Sequence, residues 1–227
     1  MSVDAFESPG TLAKWAAGVV VKAEISEVAR WRMLEYWMQV ELYRYLEKGT
    51  VGEWKHLGEH EQPYYTTLPR SGSKFNSKWV DLVVAEPSLE RPQRIVWIEL
   101  KDIGRSEHRL KANASGLGQD LAALYRLDPQ MTQDLWLRPP PHIVDIGRAA
   151  EWERFADGIV SADHLIAQIV LVPKQFANEE HEAVLIENWL KTFKSRTGSN
   201  LKADKIVRAE AGEFSIYATV LSLPEYS

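Results

Sequence analysis

The chain has no cysteine in its 227 residues, which excludes disulfides, thiolate metal sites and a cysteine nucleophile. No stretch approaches the ~20 consecutive apolar residues of a membrane-spanning helix. The start, Met1 to Glu7, lacks the basic cluster and apolar run of a secretory signal. A Gly-Lys-Ser/Thr phosphate loop is missing, and Gly116-Leu117-Gly118 follows no strand closely enough to cradle a dinucleotide. Basic residues are not in excess either: 27 Lys and Arg against 32 Asp and Glu leave a formal charge of -5. There is no internal repeat and no low-complexity tract. A cytoplasmic protein independent of membranes is the expectation.

With 45% hydrophobic residues, the length suits one sizeable α/β core. Residues 1–227 are read as a single domain, its core spanning roughly 27–172 and a helix and strand elaborating it over 173–227. Val28, Trp31, Leu34, Trp37, Met38, Leu42 and Tyr45 recur at helical spacing over 27–48, between the capping residue Ser26 and Gly49. Strand patterns follow at 63–68, 79–85 and 95–101, the last two separated by the turn-forming run from Pro87 to Pro92. Residues 118–127 read as a helix, 165–172 as an apolar strand, 179–193 as a helix and 214–223 as a strand. The segment 129–141, ending in Pro139-Pro140-Pro141, reads as a long surface connection.

Three charged residues, Asp81, Glu99 and Lys101, interrupt the apolar strands 79–85 and 95–101. Strand side chains alternate, so Ile95, Trp97, Glu99 and Lys101 share one face, with Val96, Ile98 and Leu100 on the other. Trp79, Asp81 and Val83 are expected to share a face in the same way. An unpaired buried carboxylate costs several kcal/mol or more, so charges converging at a sheet must pair or bind a cation. A divalent metal held by Asp81 and Glu99, with Lys101 beside it, satisfies all three.

An Asp on one strand and Glu99-Leu100-Lys101 on the next resemble the PD-(D/E)XK nuclease superfamily, although Val80 stands where that family has proline. The resemblance covers roughly residues 27–172 as an order of elements: helix, three strands, helix, strand. It implies an α/β, restriction-endonuclease-like core, a central mixed sheet flanked by helices, with C-terminal additions. It also implies Mg²⁺, with Mn²⁺ as a substitute, held by Asp81, Glu99 and the Leu100 carbonyl. The implied reaction is hydrolysis of nucleic-acid phosphodiesters, DNA being the expected substrate. A second acid-x-Lys string, Glu53-Trp54-Lys55, lies in a Gly- and His-rich stretch without a strand pattern, so context selects the first.

The resemblance further implies a glutamate on the first helix that binds metal directly or through water; Glu41 is preferred and Glu35 competes. Gln119 opens a Gln-plus-Tyr helix like that of exonuclease-like branches. For phosphate contact, Lys191, Lys194, Lys202 and Lys205 form a basic run near the C-terminus, and Arg70, Lys74 and Lys78 offer a second surface. A charge run is more often just a solvated face. His56 and His60 lie four apart, but Gly58 between them disfavours a helical metal pair. A homodimer would suit cutting of both strands. Two rival readings stand beside the enzyme: a nuclease-like module that binds without cutting, and a structural α/β protein whose strand charges only pair with one another.

Overall fold

The computed structural model describes residues 5–22, 34–47, 55–56, 62–68, 77–86, 92–103, 107–137 and 149–224. Its centre is a six-stranded mixed sheet in the order β1 (Lys55–His56), β4 (Leu82–Ala85), β5 (Arg94–Asp102), β6 (Asp163–Pro173), β8 (Phe214–Ser222) and β7 (Val207–Ala211). Among these pairs only β5 and β6 run parallel. A parallel pair needs a long crossover, and helices α3 (Glu107–Tyr125), α4 (Pro129–Trp136) and α5 (Ala149–Gly158) lie within it.

Both faces of the sheet are covered. Ile95, Trp97, Ile166 and Val170 join one core with Leu117 and Leu121 of α3 and Trp189 and Phe193 of α6 (Glu179–Thr197). Val96, Ile98, Leu100 and Ile169 join a second with Leu12 and Ala16 of α1 (Pro9–Lys22) and Met38 and Leu42 of α2 (Leu34–Glu47). Burial on both faces is why β5 and β6 read as nearly continuous apolar runs. No helix of the described residues is long and apolar enough to cross a membrane.

The helix ends have local causes. Asn178 accepts the His181 amide at 2.9 Å, acids fill the first turn of α6, and Gly198 at φ 75° ends it. The expected surface connection over 129–141 is corrected as far as Trp136. Asp128 caps α4 by accepting the Met131 amide at 2.9 Å, Pro129 opens it, and buried Trp136 donates Nε1–H to the Pro63 carbonyl at 2.8 Å. Asp-Pro is a helix-start signal, and the downstream prolines, outside the described residues, obscured it.

Helix α1 has no counterpart in the sequence reading. Ser8 and Thr11 cap it reciprocally, at 3.0 and 3.2 Å. The front of the expected 27–48 helix lies outside the described residues. Helix α3 begins well before the expected 118, because Gly116 and Gly118 do not break it.

The largest correction concerns the three expected strands. The run 79–85 is broken at Asp81 into β3 (Ser77–Val80) and β4, and β3 leaves the main sheet to pair with β2 (Gln62–Tyr65) in a separate two-stranded sheet. The expected strand 63–68 therefore lies in this small sheet only as far as Tyr65, and Thr66 forms an isolated bridge with Leu127. Beside β4 runs β1, drawn from the stretch around Glu53-Trp54-Lys55 that carries no strand pattern. The break also shifts the alternation: Val80 and Val83 share the α3 side, while Trp79 is 46% exposed instead of sharing Val83's face.

Candidate functional site

Asp81 occupies the bend where the chain passes from the small sheet to the large one. Leu82 pairs with Ile98, so an unbroken β4 would bring the backbone of Val80 to Leu100. Asp81 Oδ2 instead accepts the Leu100 N–H at 2.6 Å, replacing the missing rung with a carboxylate. Buried Gln39 of α2 donates its side-chain amide to the Asp81 carbonyl, which fixes the bend from the other side.

Glu99 and Lys101 project from the same face of β5. Lys101 Nζ lies 2.9 Å from Glu99 Oε1, 3.2 Å from Glu35 Oε1 and 3.9 Å from Asp120 Oδ2. Asp120, on α3, also meets Lys78 Nζ at 3.4 Å. Glu35 takes the Asp102 backbone amide as well, so the first turn of α2 is tied to the end of β5.

Burial, reinforced by the nearby Asp81 carboxylate and opposed by Lys101, pushes the Glu99 carboxyl up to about 8. Burial alone would discharge Lys101, but Glu99, Glu35 and Asp81 outweigh it and hold the ammonium above its ordinary range. Burial also raises Glu35, against the pull of Lys101. Tyr64 of β2 is buried nearby, and desolvation followed by the fields of Glu99, Asp120 and Asp81 holds its hydroxyl protonated. Glu99, Glu35 and Asp120 thus converge on Lys101, within the field of Asp81, and Asp120 also reaches Lys78.

Asp81, Glu99, Lys101 and the Leu100 backbone are therefore brought together. Lys78 joins them through Asp120. The preference for Glu41 over Glu35 is reversed by the contacts: Glu41 pairs with Arg44 at 2.9 Å, and Glu35 reaches Lys101. Six residues along a helix place Glu41 about 120° around the axis from Glu35. Gln119 is exposed, and its neighbour Asp120 faces the cluster.

Lys191 and Lys194 are exposed on α6, as are Lys202 and Lys205 beyond it. No ion pair among the described residues ties these four to the cluster. Arg70, Lys74 and His60 lie outside the described residues, and His56 lies on β1 opposite Val84. Asp120, Gln39 and Tyr64 were not singled out from sequence. Asp120 was legible, since it follows Leu117 by three and precedes Leu124 by four, at the edge of the apolar stripe.

Among the described residues no three Asp, Glu, His or Cys side chains are grouped to hold a metal ion. A site built on Asp81 and Glu99 would thus offer two carboxylates and leave other positions to water or phosphate. That donor set fits Mg²⁺, which retains several waters and takes one or two carboxylates. Compared with protein-family models, with curated proteins and with solved structures, the chain matches none.

Proposed function

We propose that the protein is a metal-dependent nuclease that hydrolyses phosphodiester bonds of nucleic acid, DNA being the expected substrate. The observation that carries this reading is the convergence of the buried Asp81 and Glu99 carboxyl groups, with Lys101 beside Glu99, at a place where carboxylates are costly unless paired or bound to a cation. A divalent cation held by both carboxylates would offset that cost. The order α2, antiparallel β4 and β5, α3, then β6 parallel to β5, supports a restriction-endonuclease-like core.

Asp81 and Glu99 would hold the metal, with the Leu100 carbonyl as a further ligand by resemblance. When bound, Mg²⁺ supplies Lewis-acid polarisation of the phosphate and lowers the pKa of a coordinated water. The protein's own residues do the rest. Asp81, fixed by the Leu100 amide and by Gln39, presents its carboxylate without reorganisation. Lys101, kept charged by its neighbours, stabilises negative charge developing on the phosphate. Glu35 and Asp120 hold that ammonium in place.

A closed ion-pair network is the competing reading, favoured by the contact of Lys101 with both Glu99 and Glu35. Calorimetry with Mn²⁺ beside a cleavage assay separates the two. The nuclease reading expects wild-type binding that Asp81→Asn and Glu99→Gln each abolish, together with cleavage. It expects Lys101→Ala to keep Mn²⁺ while losing turnover. Failure of the wild-type protein to bind Mn²⁺ or to cut DNA or RNA in its presence would overturn it.

A further inference from the structure

Glu99 has a polar neighbour on the next strand, and that neighbour has another. In the parallel pairing of β5 with β6, Glu99 lies opposite Gln168; in the antiparallel pairing of β6 with β8, Gln168 lies opposite Thr219. Adjacent strands are about 4.8 Å apart and paired residues share a face, so the three side chains form a row across three strands. Trp97, Ile166, Val170 and Tyr217, which flank the row on the same face, belong to the core beneath α3 and α6.

Gln168 and Thr219 are fully buried, yet neither amide atom of Gln168 nor the Thr219 hydroxyl has a hydrogen-bond partner in this arrangement. Leaving such groups unpaired costs roughly a factor of ten or more in the folding constant, and an aliphatic side chain of similar size would avoid the loss. The donor and acceptor types match along the row. The Thr219 hydroxyl can donate to Gln168 Oε1, Gln168 Nε2 can donate to Glu99, and Lys101 already holds Glu99 Oε1. The register sets the three side by side, at a spacing that rotation about side-chain torsions can bridge.

We propose that Gln168 is a positioning residue for Glu99, backed by Thr219, and that the relay Thr219 to Gln168 to Glu99 fixes the direction of the carboxyl group. Orientation of Glu99 by Gln168 does not require a metal. Its use in holding a divalent cation rests on the nuclease reading. The relay acts on the side of Glu99 away from the small sheet, so it and Lys101 grip the carboxyl from different elements.

The test is a mutant cycle in metal-free protein, read by urea unfolding, with Gln168→Leu and Glu99→Met. The relay predicts that Gln168→Leu lowers the folding constant about tenfold when Glu99 is present and raises it in the Glu99→Met background. An equal change of the same sign in both backgrounds would overturn the proposal, because packing alone does not depend on the Glu99 carboxyl. Should Gln168→Leu fail to fold, Thr219→Val takes its place in the cycle, with Thr219→Ser expected to restore wild-type behaviour. Mn²⁺ titration adds an independent readout: Thr219→Val should weaken binding about tenfold and Thr219→Ser should not. If the wild-type protein binds no Mn²⁺, the nuclease reading fails while the metal-free cycle still decides the relay.

Discussion

Asp81 and Leu100 are joined by a hydrogen bond of 2.6 Å from the Leu100 amide to the Asp81 carboxylate, at the rung where β4 would otherwise contribute a backbone carbonyl. One residue thus ends a strand, releases the preceding four residues to a second sheet, and presents an acid beside Glu99. The structural and chemical roles of Asp81 can be separated by substitution.

Asp81→Asn retains a side-chain oxygen for the Leu100 amide but removes the charge, so folding should be nearly unchanged while metal-dependent cleavage falls by on the order of a hundredfold or more. Asp81→Ala leaves the buried amide unpaired and should cost about 1–3 kcal/mol of stability besides. Equal stability of the two variants in urea titrations would show that the side-chain rung contributes nothing to the fold.

Glu99 sets a pH dependence whose sign is fixed by its raised pKa of about 8, compared with an ordinary value of 4.5. Between those values the unfolded chain has lost the proton that the folded protein keeps, so stability falls as pH rises through the window. Metal-free Glu99→Gln should flatten this fall and gain stability over the wild type towards pH 8, on the order of a few kcal/mol. Binding of Mn²⁺ near neutral pH should release a proton from the wild-type site. Calorimetry in buffers of different ionisation enthalpy measures that release directly.

Gly118 lies where α3 meets α6. A methyl group there would come within 2.5 Å of the Trp189 carbonyl oxygen and 2.9 Å of the Phe193 amide nitrogen, both backbone atoms. Gly118→Ala should therefore destabilise by about 1–3 kcal/mol, against the gain of roughly 1 kcal/mol that alanine brings to an exposed helix. Gly116→Ala, with open space around the added carbon, is the control and should be neutral or stabilising. Thermal melts of the pair give the comparison.

Lys191, Lys194, Lys202 and Lys205 are exposed, and the nuclease proposal assigns them to phosphate contact. Replacing all four with Gln should weaken nucleic-acid binding and reduce its salt dependence by roughly one unit of slope per lost contact. An unchanged slope in the folded variant would move the path of the nucleic acid to the side of Lys78, which adjoins the acidic cluster through Asp120.

The parts legible in the sequence were those with a single dominant cause. Strands β5 and β6 announce themselves as apolar runs, and α6 carries its cap, its charge gradient and its terminal glycine. Asp81, Glu99 and Lys101 stood out because charge inside such runs has few explanations. Gln168 answers to the same rule, as a lone amide in an apolar strand, and was passed over because an amide is a weaker signal than a charge. The break at Asp81 was not legible, since the residues from Trp79 to Ala85 on either side of Asp81 satisfy strand propensity and only the pairing partners decide where each half goes. Glu35 and Glu41 have similar helical neighbours, and the end of β5 chooses between them by offering Lys101 and the Asp102 amide to Glu35.

Strand β8 lies between β6 and β7, and α1 shares a core with Phe214 and Ile216 of β8. Residues of α1 therefore wait for partners that lie far along the chain and are synthesised much later. Until 214–222 emerge, the outer edge of β6 is unpaired and the apolar side of α1 has lost part of its cover, a template for sticking to other chains. So long a delay between contact partners also slows closure of the fold. Nascent chains stalled before β8 should bind chaperones and be open to protease along α1, and chains carrying β8 outside the exit tunnel should resist.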